Sequence, residues 1–104
     1  MRKVLFGGAF DLLHLGHVLA IQKAKTYGDY LIVNVLSDER VRTRKQRNRN
    51  FNENLAPVIP AKERVRMVAA LSGVDKVVCY YGDPTYPVIR AIEEFRPGVV
   101  VLSE

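Results

Sequence analysis

Two histidines, a carboxylate and three glycines fall within eleven residues, Gly7-Gly8-Ala9-Phe10-Asp11-Leu12-Leu13-His14-Leu15-Gly16-His17. The run follows a short apolar stretch, Val4-Leu5-Phe6, and leads into an apolar-periodic stretch with helical spacing. Strand, glycine turn and helix in that order present backbone N–H groups to a phosphate. His14 and His17, three residues apart at the helix start, share one helix face. There both imidazoles can donate hydrogen bonds to phosphate oxygens. Gly16 removes a side chain where a nucleotide must come close, and Gly7 and Gly8 do the same at the turn. Standing alone, the pair also reads as a capping His14 and a packed core His17. Zinc would need further ligands, yet these are the only two histidines and Cys79 is remote in sequence. Asp11, near the helix start, reads as an N-cap.

Periodicity supplies the elements that must position these residues. Residues 3–6 predict a first strand, and residues 16 to about 27 a helix with Val18, Leu19, Ile21 and Ala24 as its apolar positions. Gly28 is its stop. Residues 30–36 predict a buried strand interrupted only by Asn34. Residues 38–59 carry no clear period, are basic and Asn-rich, and end in Pro57-Val58-Ile59-Pro60, which predicts a loop. A helix follows from about residue 61 to 71, a strand over 76–80, a helix over 86–95 and a last strand over 99–102. Alternating strands and helices imply a parallel sheet with right-handed crossovers. In such sheets the site forms beyond the carboxyl ends of the strands. Those ends are residues 6–9, 37–39, 81–83 and 103–104, and the histidine segment lies at the first of them.

The glycine turn, Phe10-Asp11 and His14-Leu15-Gly16-His17 together resemble the signature of the cytidylyltransferase-like nucleotidyltransferases. The resemblance extends to Ala24-Lys25, Gly28-Asp29-Tyr30-Leu31-Ile32-Val33, Ser37-Asp38-Glu39, Arg64 and Val74-Asp75-Lys76-Val77-Val78. It covers most of residues 3–102 and is shared with glycerol-3-phosphate cytidylyltransferases, heptose-1-phosphate adenylyltransferases and archaeal FAD synthetases. It implies an α/β, Rossmann-like doubly wound parallel sheet of the adenine nucleotide alpha hydrolase-like kind, as one domain over residues 1–104. The implied reaction moves a nucleoside monophosphate from CTP or ATP to a phosphorylated small molecule, with Mg²⁺ and release of pyrophosphate. The glycerol-3-phosphate type leads, and transfer of an adenylyl group to heptose-1-phosphate or FMN is the alternative.

The resemblance also implies roles. His14 and His17 stabilise the transition state; Gly7, Gly8, Ala9, Phe10, Asp11 and Gly16 cradle the nucleotide. Asp11 orders the turn and reaches the acceptor or a metal-bound phosphate. Arg64 is a substrate-phosphate arginine, against a plain surface charge. Arg44 and Gln46 fall where the glycerol-3-phosphate enzymes have phosphate-binding lysines, with Lys45 between; Gln46 departs from that pattern, which leaves Arg44 or Lys45 to serve. Asp38 reads as an acceptor for a ribose hydroxyl or as a cap for the next segment. No protein metal-ligand set is expected. Ala9 stands where many members have Thr. The family pattern runs on past the last strand into a Ser/Thr-rich motif that closes over the triphosphate, whereas this sequence stops at Ser103-Glu104. The resemblance then implies either a piece of a longer chain or a site completed otherwise, for example by a homodimer partner.

The 104 residues carry 16 basic and 11 acidic side chains, for a net charge of +5. Six of the basic ones, Arg40, Arg42, Arg44, Lys45, Arg47 and Arg49, lie within ten residues that hold no acid. The rest of the chain is close to neutral, so basicity belongs to one segment. That segment reads as a phosphate-binding loop, as an RNA-binding run or as a solvated loop; nucleic acid is the less favoured partner. An aminoacyl-tRNA synthetase fragment would share His-x-Gly-His, but its second, lysine-bearing motif is absent. The apolar runs are strand-sized, which offers no membrane span, and the N-terminus does not read as a signal peptide. The lone Cys79 allows no internal disulfide and fits a cytoplasmic setting. Against the enzyme reading stands a non-catalytic nucleotide- or RNA-binding module on the same fold.

Overall fold

A computed structural model describes residues 1–45, 57–82 and 87–102, the side chains of Arg44 and Lys45 excepted. The elements run β1 (Lys3–Gly8), α1 (Leu15–Lys25), β2 (Tyr30–Val35), α2 (Asp38–Lys45), α3 (Ala61–Ala69), β3 (Lys76–Val78), α4 (Pro87–Phe95) and β4 (Val99–Val101). The four strands form one parallel sheet in the order β3-β2-β1-β4. This is the predicted α/β architecture.

The strands lie at the centre because their side chains are apolar on both faces. On one face Val4, Phe6, Leu31, Val33 and Val35 pack with Ile21 and Ala24 of α1 and Val68 of α3. On the other, Leu5 and Ile32 pack under Ala91, with Val88 and Phe95 of α4 beside them. The chain thus changes sides of the sheet after β3, and the strand order reverses between β1 and β4. In open parallel sheets, ligands bind at such a reversal, beyond the carboxyl ends of the strands. At the amino ends, Asp75 fastens three elements. Its Oδ2 accepts hydrogen bonds from Lys25 Nζ (2.6 Å) and from the Leu31 N–H (2.8 Å). The Lys25 bond first, and the Leu31 bond second, hold its carboxyl below the usual range.

Two expectations are corrected. Residues 38–45 form α2, where a loop is predicted. Ser37 Oγ accepts from the Arg40 N–H at 3.2 Å, as an N-cap does. Asp38 and Glu39 occupy the positive end of the helix, and the basic residues follow toward its negative end. Capping and charge, not an apolar stripe, make this helix, and Val41 is its buried anchor. Residues 46–49 of the basic run lie outside the described residues, as do Asp83 to Tyr86 and Ser103-Glu104. Secondly, Gly7 and Gly8 are not the turn. They end β1, in register with Asn34 and Val35 of β2, and Gly8 C=O accepts from the Leu36 N–H at 3.0 Å. The turn begins at Ala9.

Candidate active site

The turn is narrow and strained. Phe10 and Leu12 sit at φ of 55° and 53°, a region costly for side chains of this size and held only where the surroundings dictate it. Burial of the Phe10 ring supplies that hold. It meets Phe6 edge-on, at 5.8 Å between centroids, and touches the His17 ring at 5.6 Å. A Cβ on Gly8 would stand 3.1 Å from two carbons of the Phe10 ring. Gly8 is therefore a glycine because Phe10 folds back over it.

His14 and His17 then open α1 with a reciprocal cap. His14 Nδ1 accepts from the Gly16 N–H at 3.0 Å, and His17 Nδ1 accepts from the His14 N–H at 3.0 Å. The rings stack with centroids 4.0 Å apart and a 35° tilt. An imidazole whose Nδ1 accepts carries its neutral-form proton on Nε2. Both rings thus keep an Nε2–H donor on the edge turned away from the backbone they cap. Partial burial, and then the neighbouring His14, lower the pKa of His17 below its usual 6.5. Capping and chemistry are compatible here, since different nitrogens of the same ring serve each. Gly16 has a corrected role: its Cβ would come within 2.8 Å of His14 Cε1, so its bareness makes room for the His14 ring.

The carboxylates act as fasteners. Asp11 Oδ2 and Oδ1 accept from the Val58 and Ile59 N–H groups at 2.8 and 2.9 Å. His14, not Asp11, is the N-cap of α1. Asp38 Oδ1 accepts from the Ala61 N–H at 3.0 Å and pairs with Arg64 Nη2 at 2.6 Å. Pro60 gives α3 no side-chain cap, so Asp38 fills that place from another segment.

Arg64 departs furthest from expectation. It is neither a surface charge nor turned to solvent: it is fully buried. Its Nε donates to Ile59 C=O (2.7 Å), and Nη1 donates to Ala9 C=O (2.6 Å) and Leu36 C=O (2.8 Å). The sequence signals an arginine at a helix start, but three carbonyls from three separate segments have no sequence signature. Asp11, His14, Gly16 and His17 are brought together at the end of β1, with Asp38 and Arg64 behind the turn. Arg44 and Lys45 end α2, and their side chains lie outside the described residues.

These features match a known pattern over nearly the whole chain. The family model for cytidylyltransferase-like proteins matches residues 5–104. The chain belongs to the cytidylyltransferase-like family. It is 39% identical over 101 residues to an FAD synthase of Thermococcus onnurineus, covering 97% of this chain and 61% of that protein. It is 42% identical over 101 residues to the bifunctional protein HldE of Geobacter metallireducens, covering 96% of this chain and 19% of that protein. A lipopolysaccharide core biosynthesis protein from Thermoplasma volcanium superposes with a TM-score of 0.73 at 28% identity, over 96% of this chain and 72% of that one. The fold and family are those of nucleotidyltransferases. The chain spans about three fifths of the FAD synthase and under a fifth of HldE. No helix among the described residues is long and apolar enough to cross a membrane.

Proposed function

We propose that the chain carries the donor site of a nucleotidyltransferase that moves a nucleoside monophosphate from ATP or CTP to a phosphorylated small molecule. The observation that carries this reading is the reciprocal cap. It leaves two Nε2–H donors side by side at a helix N-terminus, at the end of the central strand β1. An acceptor phosphate oxygen attacks the α-phosphorus, a new P–O bond forms, and the bond to the β-phosphate breaks with its electron pair leaving on pyrophosphate. The protein's part in such a transfer is alignment and charge stabilisation. His14 and His17 donate to the oxygens that gain charge, the turn from Ala9 to Asp11 offers backbone N–H groups, and Arg44 and Lys45 clamp phosphates.

The FAD synthase and HldE likenesses support the adenylyl branch, with ATP as donor and FMN or a sugar phosphate as acceptor. Magnesium enters as part of the nucleotide substrate. No three of the described His, Cys, Asp and Glu side chains are grouped to hold a metal, and the Asp11 and Asp38 carboxylates bind backbone N–H groups. Mg²⁺ is commonly held by substrate phosphates and water with few protein ligands. Exposed Leu15 and Leu19, four apart on α1, support pairing of two copies. The lone Cys79 thiol supports a cytoplasmic setting.

Calorimetric titration with ATP, CTP and GTP in Mg²⁺, with His14→Ala as control, tests the donor. Binding of one nucleotide that the variant loses is the expected result. Equal binding by both proteins would remove His14 from the site. Pyrophosphate release with FMN against heptose-1-phosphate then names the acceptor.

A further inference from the structure

We propose that Arg64 is a positioning residue that fixes the phosphate-facing turn from behind, and that it does not touch the nucleotide. The proposal rests on the donor-site reading for its functional meaning, but its geometry stands apart from it. The Arg64 guanidinium is wholly buried and gathers four oxygens: Ala9 C=O from the turn, Leu36 C=O from the end of β2, Ile59 C=O from the segment before α3, and Asp38 Oδ1 from α2. A rigid planar fork with five N–H donors can reach these four acceptors in fixed directions; a lysine ammonium has only three donors, on a single nitrogen.

These bonds close a circuit with those of Asp11. Asp11 takes the N–H of Ile59, and Arg64 takes its C=O. Arg64 also holds the carbonyl of Ala9, one residue before Phe10 enters the left-handed region. The strained turn is thus pinned on both sides, by Asp11 in front and by Arg64 behind. Phe10 carries that position to His17 through their ring contact. Asp38 neutralises the guanidinium at 2.6 Å and at the same time caps α3, the helix that bears Arg64. The positive charge is used inside the protein, and what it gives the site is shape.

Arg64→Lys in the full chain separates this role from phosphate binding. Backbone amide shifts are recorded without ligand, and Mg²⁺–ATP affinity is measured from 50 to 300 mM salt. A positioning role predicts shifted amides at residues 9–11 and 58–59 in the ligand-free variant. It also predicts at least tenfold weaker ATP binding with an unchanged dependence on log salt. A phosphate ligand predicts unaltered turn amides and ATP binding weakened less than tenfold, because lysine keeps the ionic phosphate contact. That pair of results would overturn the proposal. Should Arg64→Lys not fold, the guanidinium N–H signals of Arg64 in the unmodified chain carry the comparison: held by Ala9, Leu36 and Ile59 C=O and by Asp38, they should stay unshifted when Mg²⁺–ATP is added. A shift of those signals on adding ATP would refute the proposal. If the unmodified chain binds no nucleotide, the donor-site reading fails while the amide shifts still decide the role of Arg64.

Discussion

Replacing Gly16 with Ala separates stability from function, and the two can be weighed in advance. A Cβ at Gly16 would lie 2.8 Å from His14 Cε1 and 3.0 Å from His14 Nδ1. Restoring the ~3.5–4.0 Å of ordinary carbon contact moves the ring on the order of 1 Å. The bond from the Gly16 N–H to Nδ1 is lost with that movement. Loss of an N-cap costs about 0.5–2 kcal/mol, and the change from Gly to Ala within a helix returns about 1 kcal/mol. The two nearly cancel, so the melting temperature should stay within a few degrees of the unmodified chain, taking 4–8 °C per kcal/mol as roughly the scale for a domain of this size. Function should not be spared. A misplacement of 1 Å can cost roughly 10²-fold in turnover, because the Nε2–H donor moves with the ring. Thermal melts, ATP titration and the imidazole nitrogen shifts of His14 read the three effects separately. If the His14 ring keeps its ligand-free shifts while ATP binding falls, Gly16 acts by admitting the nucleotide and the packing argument is wrong. A loss of several kcal/mol in stability would equally refute the cancellation.

Two further predictions use the divided duty of the histidines. His14→Asn keeps a good capping side chain but removes the Nε2–H, so melting should stay within a few degrees of the unmodified chain while turnover drops by about 10²–10³, the scale for a lost transition-state donor; near-normal turnover would exclude His14 from the chemistry. The second concerns pH. A folded-state pKa for His17 below 6.5 means that the unfolded chain binds its proton first. That contribution to stability is intact above pH 6.5 and is lost as the pH falls through the folded-state pKa. Protonation of Nδ1 also turns the acceptor for the His14 N–H into a donor, so ATP binding should weaken over the same range. Chemical denaturation and titration between pH 7.5 and 5 check this, and a His17→Asn variant should flatten the stability profile.

Much of this was legible in the sequence because local chemistry and periodicity agreed. The apolar runs located all four strands, and the glycine segment with two histidines pointed to the candidate site. Where legibility ended, one residue was doing two things. Gly8 and Gly16 read as openings for a ligand, and each accommodates a ring of the protein's own, Phe10 and His14. Helix α2 escaped detection because Ser37 and a favourable charge order, not an apolar face, hold it. Arg64 escaped because its partners lie 5, 26, 28 and 55 residues away in sequence, and no pattern in a single chain encodes that convergence.

The buried arginine also bears on how the fold holds a strained turn. A φ above +50° at Phe10 and at Leu12 costs of order 1–3 kcal/mol each, which an isolated turn of this sequence would relieve by opening. Burial of the Phe10 ring opposes that, at a worth of about 1.5–3 kcal/mol, but it acts on a side chain and leaves the backbone free to rotate around it. The bonds from Arg64 to Ala9 C=O and from Asp11 to Val58 and Ile59 act on the backbone itself, on both flanks of the strained residue. Hydrogen bonds to charged groups contribute about 1.5–3 kcal/mol each, enough for either flank to hold the turn once the ring is seated. Asp11 and Arg64, the charged side chains that the sequence pattern assigns to substrate, are thus both engaged with the backbone that frames the turn.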